Sequence, residues 1–346
     1  AIAPVDGQYK PTGQFTPLEN VNYFIMHGSH DGDVSTAVGL RQYERLKFSG
    51  DQPWFKAMVF MYRANHGQWN SVWGNKDNGP RSGRSLDLRG LIDPEDQRRF
   101  AKVMIGGFLE ATLNGKREYV EMFRDHRTAG GWLPKTMYTT RFQENGYRPL
   151  VEYGEDVDLT TGSTAGVTVT GEHLSTWQEK AVPFRGRGND TQNHNGAWVG
   201  WNNELQPAPD APENAPKVMG PPAAYAVSLP GSLAGAWGIG ATSVLNLFIA
   251  ATDTKPGPRA PEKKAEDEEK PAEKKPVTPK KPAPKKKPEP KKKEEPDKTP
   301  VDLTVEVTDA AGHVATIALS RYGVARHPLR SEEHTSELQS RFGISY

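Results

Sequence analysis

The 346 residues carry 44 Lys and Arg against 43 Asp and Glu, a near-neutral balance that hides a sharp unevenness. Residues 255–300 hold 16 basic and 10 acidic side chains and 12 of the 29 prolines, so this stretch carries +6 and the other 300 residues carry −5. A mildly acidic remainder lacks the basic surface that steers a fold toward nucleic acid or an anionic membrane, and the absence of cysteine excludes a disulfide scaffold, a thiol nucleophile and Cys-ligated metal.

Ala1–Val5 is a short apolar piece ending in a turn at Asp6-Gly7; no charged-then-apolar leader precedes it, and the compartment is left open. Asn22–His27 is an apolar run of buried-strand length. Val38, Leu40, Tyr43 and Leu46 follow with helical spacing, and Ala57–Tyr62 is a second strand-like run, so the order reads β-α-β. A further helix has clear end signals. Asp93 suits the N-cap, Pro94 the first helical position, and Glu95 and Asp96 the positive end of the dipole. Phe100, Val103, Met104, Gly107, Phe108 and Ala111 then share one face, and Asn114-Gly115 ends it.

From residue 126 the pattern becomes one of short segments bounded by Gly, Pro, Asn and Asp: Thr136–Phe142, Val167–Thr170, Ala197–Trp201, Ala223–Leu229, Val244–Ala250, Leu303–Thr308 and Ala315–Ser320. Their spacing predicts a β-sandwich over 126–329. Val218–Thr252 is uncharged, yet Pro221, Pro222, Pro230 and several glycines break it, which predicts two buried strands joined by a turn and no transmembrane segment. The Lys/Pro/Glu-rich residues 255–300 cannot bury enough apolar surface to order themselves and read as a disordered insertion within the sandwich. Arg330–Ser340, RSEEHTSELQS, resembles the in-frame translation of a common sequencing adapter, and Ile344-Ser345-Tyr346 matches its continuation, so 330–346 read as a non-native tail.

Chemistry concentrates after the two clear strands. The first runs into HGSHDGDV, with Asp31 and Asp33; the second into RANHGQWN, with His66. Parallel strands joined by a helical crossover end on the same sheet edge, where open α/β sheets hold their ligands, so an acid and a histidine can meet there. A carboxylate beside an imidazole sets its tautomer and stabilises the imidazolium formed when it takes a proton. Asp33 reads as a helix N-cap and as the second choice for the acid. His27 and His30 invite a metal reading, but HGSHDGD lacks the H-x-H-x-D-H spacing, and neither metal nor cofactor is expected. Trp69 and Trp73 suit either a pocket wall or core packing. Trp177, Trp198, Trp201, Asn193, His194, Asn195, Asn202 and Asn203 offer the aromatic platforms and amides of a glycan-binding face, or ordinary sandwich core.

The succession strand, HGxxDxxV, helix, strand, xxxHG over residues 1–125 resembles the C-terminal part of an α/β-hydrolase of the dienelactone-hydrolase and prolyl-oligopeptidase-like type. The resemblance implies Asp31 as the acid, with Val34 three residues after it, and His66 as the base, acting on a small carboxylic ester through a serine nucleophile. It also implies a truncated hydrolase sheet before the sandwich. In that family the serine of G-x-S-x-G precedes the acid. No such motif occurs in the chain; the nearest string, Gly162-Ser163-Thr164-Ala165-Gly166, lies after His66 and has threonine in place. The expectation is therefore a chain that begins inside its catalytic domain, the nucleophile lying upstream of Ala1. A prolyl-oligopeptidase-like peptidase and a non-catalytic glycan-binding module remain open beside the esterase.

Overall fold

The computed structural model describes residues 17–34, 39–73, 76–77, 88–183, 191–208, 211–212, 214–240, 242–252, 256–260, 301–321 and 342–345. The expected β-α-β unit is there. Strand β1 (Tyr23–Gly28) runs parallel to β2 (Phe55–Met61), Tyr23 opposite Lys56 and Gly28 opposite Met61, with helix α1 (Leu40–Arg45) in the connection.

All seven residues of β2 are buried, because both faces of the sheet are covered. Side chains alternate across a strand. Phe55, Ala57, Val59 and Met61 enter a cluster with Phe100 and Met104 of helix α2 (Pro94–Thr112) and Met122 and Phe123 of helix α3 (Glu121–Arg124). Met58 and Phe60 enter a second cluster with Tyr23, Leu40, Tyr43 and Leu46 on the α1 side. Helix α2 begins as its sequence predicts: the Asp93 carboxylate accepts the Glu95 N–H at 2.8 Å and Pro94 opens the first turn. It ends before Gly115, which takes a left-handed φ of 70°.

Lys56 points into the α1 side of this sheet and is 3% exposed. Its Nζ donates to the carbonyls of Tyr43 (2.7 Å) and Leu46 (2.9 Å) at the end of α1 and lies over the Tyr43 ring. Burial outweighs the nearby Glu44 carboxylate and pushes the Lys56 ammonium down to about 8. A lysine with a depressed folded pKa binds its proton less tightly folded than unfolded, so stability rises with pH between about 8 and the unfolded value near 10.4. Denaturant titrations at pH 7.5 and 9.5 are expected to show this rise, at most about 3 kcal/mol, in the native chain and not in Lys56→Met. Equal slopes in both would remove Lys56 as its source.

The third strand of the sheet departs from expectation. Strand β3 (Tyr138–Glu144), foreseen as part of the sandwich, pairs antiparallel with β2, Met61 opposite Tyr138 and Phe55 opposite Glu144. Phe142 packs into the same cluster as Phe55 and Phe123, so the α/β sheet extends past residue 125.

Beyond β3 the described strands form two-stranded antiparallel ladders and not two packed sheets. They are β4 (Thr168–Glu172) with β7 (Ala224–Ser228), β5 (Thr176–Pro183) with β6 (Thr191–Gly200), β8 (Val244–Leu247) with β11 (Phe342–Ser345), and β9 (Thr304–Thr308) with β10 (Val314–Ala318). Thr, Ala, Gly and Ser supply much of these strands, and β4 and β10 each bury a single residue, Val169 and Ile317, too little apolar surface to cement two sheets face to face. The uncharged stretch 218–252 is likewise not two buried strands joined by a turn. Most of β7 is exposed, helix α4 (Gly231–Ala236) stands between β7 and β8, and the two strands pair with different partners. No described helix is long and apolar enough to cross a membrane. The proposed insertion lies outside the described residues except for 256–260, where Arg259 bridges to Leu205. Of the expected tail, residues 342–345 are described as β11, and 330–341 and 346 lie outside.

A candidate acid–base site at the ends of β1 and β2

Both strands deliver their following loops to one edge. The loop bases are joined by a continuation of the strand pairing: Ser29 N–H donates to Met61 O at 3.0 Å and His30 N–H to Ala64 O at 2.8 Å. After β2 the chain turns at Arg63, whose φ of 66° is unusual for a non-glycine residue. Three hydrogen bonds donated by Arg63 hold the turn to two neighbouring segments. Arg63 N–H donates to Ser29 Oγ at 2.7 Å, and its guanidinium donates to Gly90 O and Leu91 O.

Asp31 and His66 meet. Asp31 Oδ2 lies 2.9 Å from His66 Nδ1. A carboxylate can only accept, so the Nδ1 proton lies between them. Asp31 Oδ1 accepts the N–H groups of Asp33 (3.1 Å) and Val34 (2.7 Å), an Asx turn that fixes the carboxylate's orientation. The Asp31 side chain is 6% exposed and that of His66 29%, so the acid is sheltered and the base stays within reach of solvent. The bond to Asp31 raises the His66 imidazole above its ordinary range, against the opposing effect of partial burial.

Asp33 takes a different place. Its Oδ2 is 3.7 Å from His66 Nε2, beyond hydrogen-bond length, on a side chain 42% exposed. It does not cap α1, whose N-cap is Gly39. The Trp73 ring lies 5.5 Å from the His66 ring, tilted by 35°, and walls one side of the imidazole. Trp69 instead packs on Phe100 in the first core cluster.

Three polar residues that sequence reasoning passes over hold the histidine loop. Asn65 is wholly buried; its N–H donates to Gln97 Oε1 at 3.1 Å and its carbonyl accepts from Gln97 Nε2 at 2.7 Å, a two-point clamp from α2. Asp77, 2% exposed, accepts from Asn65 Nδ2 (2.8 Å) and Gly67 N (2.9 Å) on Oδ1, and from Gly32 N (2.6 Å) on Oδ2. Gln97 carries a faint signal, since it falls one turn before Phe100 on the buried helix face. Asp77 carries none: in NKDNG it reads as a solvated turn.

The remaining candidates lie elsewhere. His27 is buried in β1 and stacks on Phe60, and burial lowers its imidazole pKa. His30 Nδ1 sits 2.7 Å from Ser29 Oγ. Among the described residues no cluster of three His, Asp or Glu side chains is placed to hold a metal ion. The Gly162–Gly166 string forms a turn before β4, its Ser163 hydroxyl bonded to Glu155 and its Thr164 hydroxyl to Pro149 O. Trp177 and Trp198 do not share a face, since Trp177 pairs with Val199 and Trp198 with the adjacent Gln178. Trp177 packs edge-on to Tyr225, Lys180 lies over Trp198, Asn195 donates to Glu179, Asn202 donates to Pro256 O, and His194 pairs with Glu44. Trp201 and Asn203 are half-buried, and the Asn193 side chain lies outside the described residues.

Comparison with protein families, curated proteins and solved structures finds no match to this chain.

Proposed function

We propose that this chain carries the acid–base half of a serine hydrolase acting on carboxylic esters, with Asp31 orienting His66 and the nucleophile supplied by a segment outside these 346 residues. The observation that carries the reading is the 2.9 Å contact between Asp31 Oδ2 and His66 Nδ1, formed by two loops that follow adjacent parallel strands. On this reading β1 and β2 are the last parallel strands of an α/β-hydrolase sheet and β3 is its antiparallel edge.

The chemistry is that of a triad. Asp31 keeps the proton on Nδ1, which leaves the Nε2 lone pair free to take a proton from a serine hydroxyl as it attacks the ester carbonyl. The imidazolium then returns that proton to the leaving alcohol, and water repeats the cycle on the acyl-enzyme. Nε2 is the nitrogen beside the partly exposed Asp33, so the serine must approach on that side.

A fluorophosphonate probe is expected to label a longer form of the protein that carries the upstream segment, at a single serine, and to leave the present chain unlabelled. An active, folded longer form that resists the probe would sink the serine mechanism. Nitrophenyl esters beside dipeptide anilides, assayed on the labelled form, separate an esterase from a peptidase of the prolyl-oligopeptidase type.

A further inference from the structure

The two residues of the pair share a feature: each is followed by a glycine, Asp31 by Gly32 and His66 by Gly67. Both glycine N–H groups end on one carboxylate, that of Asp77, Gly32 on Oδ2 at 2.6 Å and Gly67 on Oδ1 at 2.9 Å. The glycines are what allow the approach. A Cβ at Gly32 would stand 2.8 Å from Asp77 Oδ2, and one at Gly67 would stand 2.0 Å from the Lys76 carbonyl oxygen.

We propose that Asp77 is the positioning residue of the Asp31–His66 pair, a buried carboxylate that clamps the backbone just after each partner and so sets the distance between them. The proposal rests on reading Asp31 and His66 as an acid–base pair. Backbone bonds at Ser29 and His30 join only the loop bases; Asp77 joins the tips, where the functional side chains sit.

A carboxylate is suited to this place in a way an amide is not. Its two oxygens offer about four acceptor sites and no donor, and here three N–H groups converge on them: Gly32 N, Gly67 N and Asn65 Nδ2. Asparagine could keep an oxygen toward Asn65 and Gly67, but its amide NH2 would then oppose the Gly32 N–H. The Asp31 tip would be released while the His66 tip stays held. Gln97 provides the contrast, since it holds Asn65 from α2 and makes no bond to the Asp31 loop in the arrangement described.

The test is a 15N NMR measurement of the neutral His66 ring in the present chain, read at a pH above its titration. In the native chain the ring is expected as the Nδ1–H tautomer, with its proton toward Asp31. In Asp77→Asn it shifts toward the Nε2–H form favoured by an unconstrained imidazole, and Asp77→Glu, which keeps the charge and moves the carboxylate by one methylene, shifts it in the same direction. Gln97→Leu lowers the thermal midpoint and leaves the tautomer in place. A native tautomer in folded Asp77→Asn, an equal shift in Gln97→Leu, or loss of the fold in both Asp77 variants would each overturn the proposal. The readout needs neither substrate nor nucleophile. A failure of fluorophosphonate labelling in the longer protein therefore counts against the hydrolase reading alone, and a native tautomer in folded Asp77→Asn counts against the clamp alone.

Discussion

On the proposed hydrolase reading, Asp31→Asn introduced into a longer form that carries the nucleophile is expected to lower kcat by about four orders of magnitude while the fold survives. The reason lies in the hydrogen bonds that Asp31 already makes. Its Oδ1 accepts two backbone N–H groups, from Asp33 and Val34, and those donors require an oxygen. An asparagine must therefore keep its carbonyl oxygen toward them and turn its NH2 toward His66 Nδ1. That nitrogen then becomes an acceptor, the neutral ring carries its proton on Nε2, and the lone pair needed for base catalysis is gone. The pH dependence follows from the same bond. Asp31 raises the His66 pKa, so on the proposed hydrolase reading the acid limb of kcat/KM, which would report neutral His66, is expected above the ordinary imidazole value in the native longer form and at lower pH in the variant. In stability the sign is opposite. A raised folded pKa contributes stabilisation that is fully present below the unfolded pKa, near 6.5, and is lost as pH rises through the raised value. Stopped-flow acylation across pH 5 to 9 measures the rate and the limb together. A variant within tenfold of the native rate, with an unmoved limb, would exclude Asp31 as the acid.

Asp31 and His66 were legible because each stands in the first loop after a compact apolar run, beside a glycine, where backbone rules for parallel strands bring loop ends together. Their distance was not legible, and Asp31 came ahead of Asp33 only through the spacing of the HGxxDxxV resemblance, without a local physical reason. That choice depends on an Asx turn: the Asp31 carboxylate is fixed by the N–H groups of residues 33 and 34, whereas Asp33 lies on the Nε2 side of the ring. Asp77 illustrates the harder case. A carboxylate in a polar turn is normally solvated, and what buries this one is the convergence of donors from residues 32, 65 and 67, a tertiary fact without local trace.

The fold divides along similar lines. Helix α2 was readable from its cap to its terminal glycine because each signal is local: Asp93, Pro94, the apolar face and Gly115. Strand β3 was readable as a strand and not as a neighbour of β2, since the alternation in TTRFQ serves any half-covered sheet and only the burial of Phe142 against Phe55 decides which. Strand β5 was passed over altogether. Glu179 and Lys180 interrupt its apolar pattern, and its extended form is set by the partner strand β6, whose Asn195 bonds Glu179 and whose Trp198 lies under Lys180.

Gly67→Ala tests how tightly the histidine loop is built, and the expected loss is about 2–4 kcal/mol of stability. Gly67 is required here for close approach and not for a left-handed backbone. The added methyl would stand 2.0 Å from the Lys76 carbonyl oxygen and 3.0 Å from its carbon, both backbone atoms that no rotamer change can move aside. The segment holding Asp77 must retreat, which stretches the Gly67 N to Asp77 bond and leaves buried donors without their acceptor. The same retreat loosens the clamp on the Asp31 loop, so the fall in thermal midpoint should come with a drop in the His66 pKa toward its ordinary value. Gly90→Ala is the control: its Cβ would meet nothing within 4 Å, and the change should stay within about 0.5 kcal/mol. Urea unfolding of the two variants beside the native chain, with His66 followed by NMR, gives both readings. Equal stabilities for Gly67→Ala and Gly90→Ala would mean that the two loop backbones do not make the close approach on which the site depends.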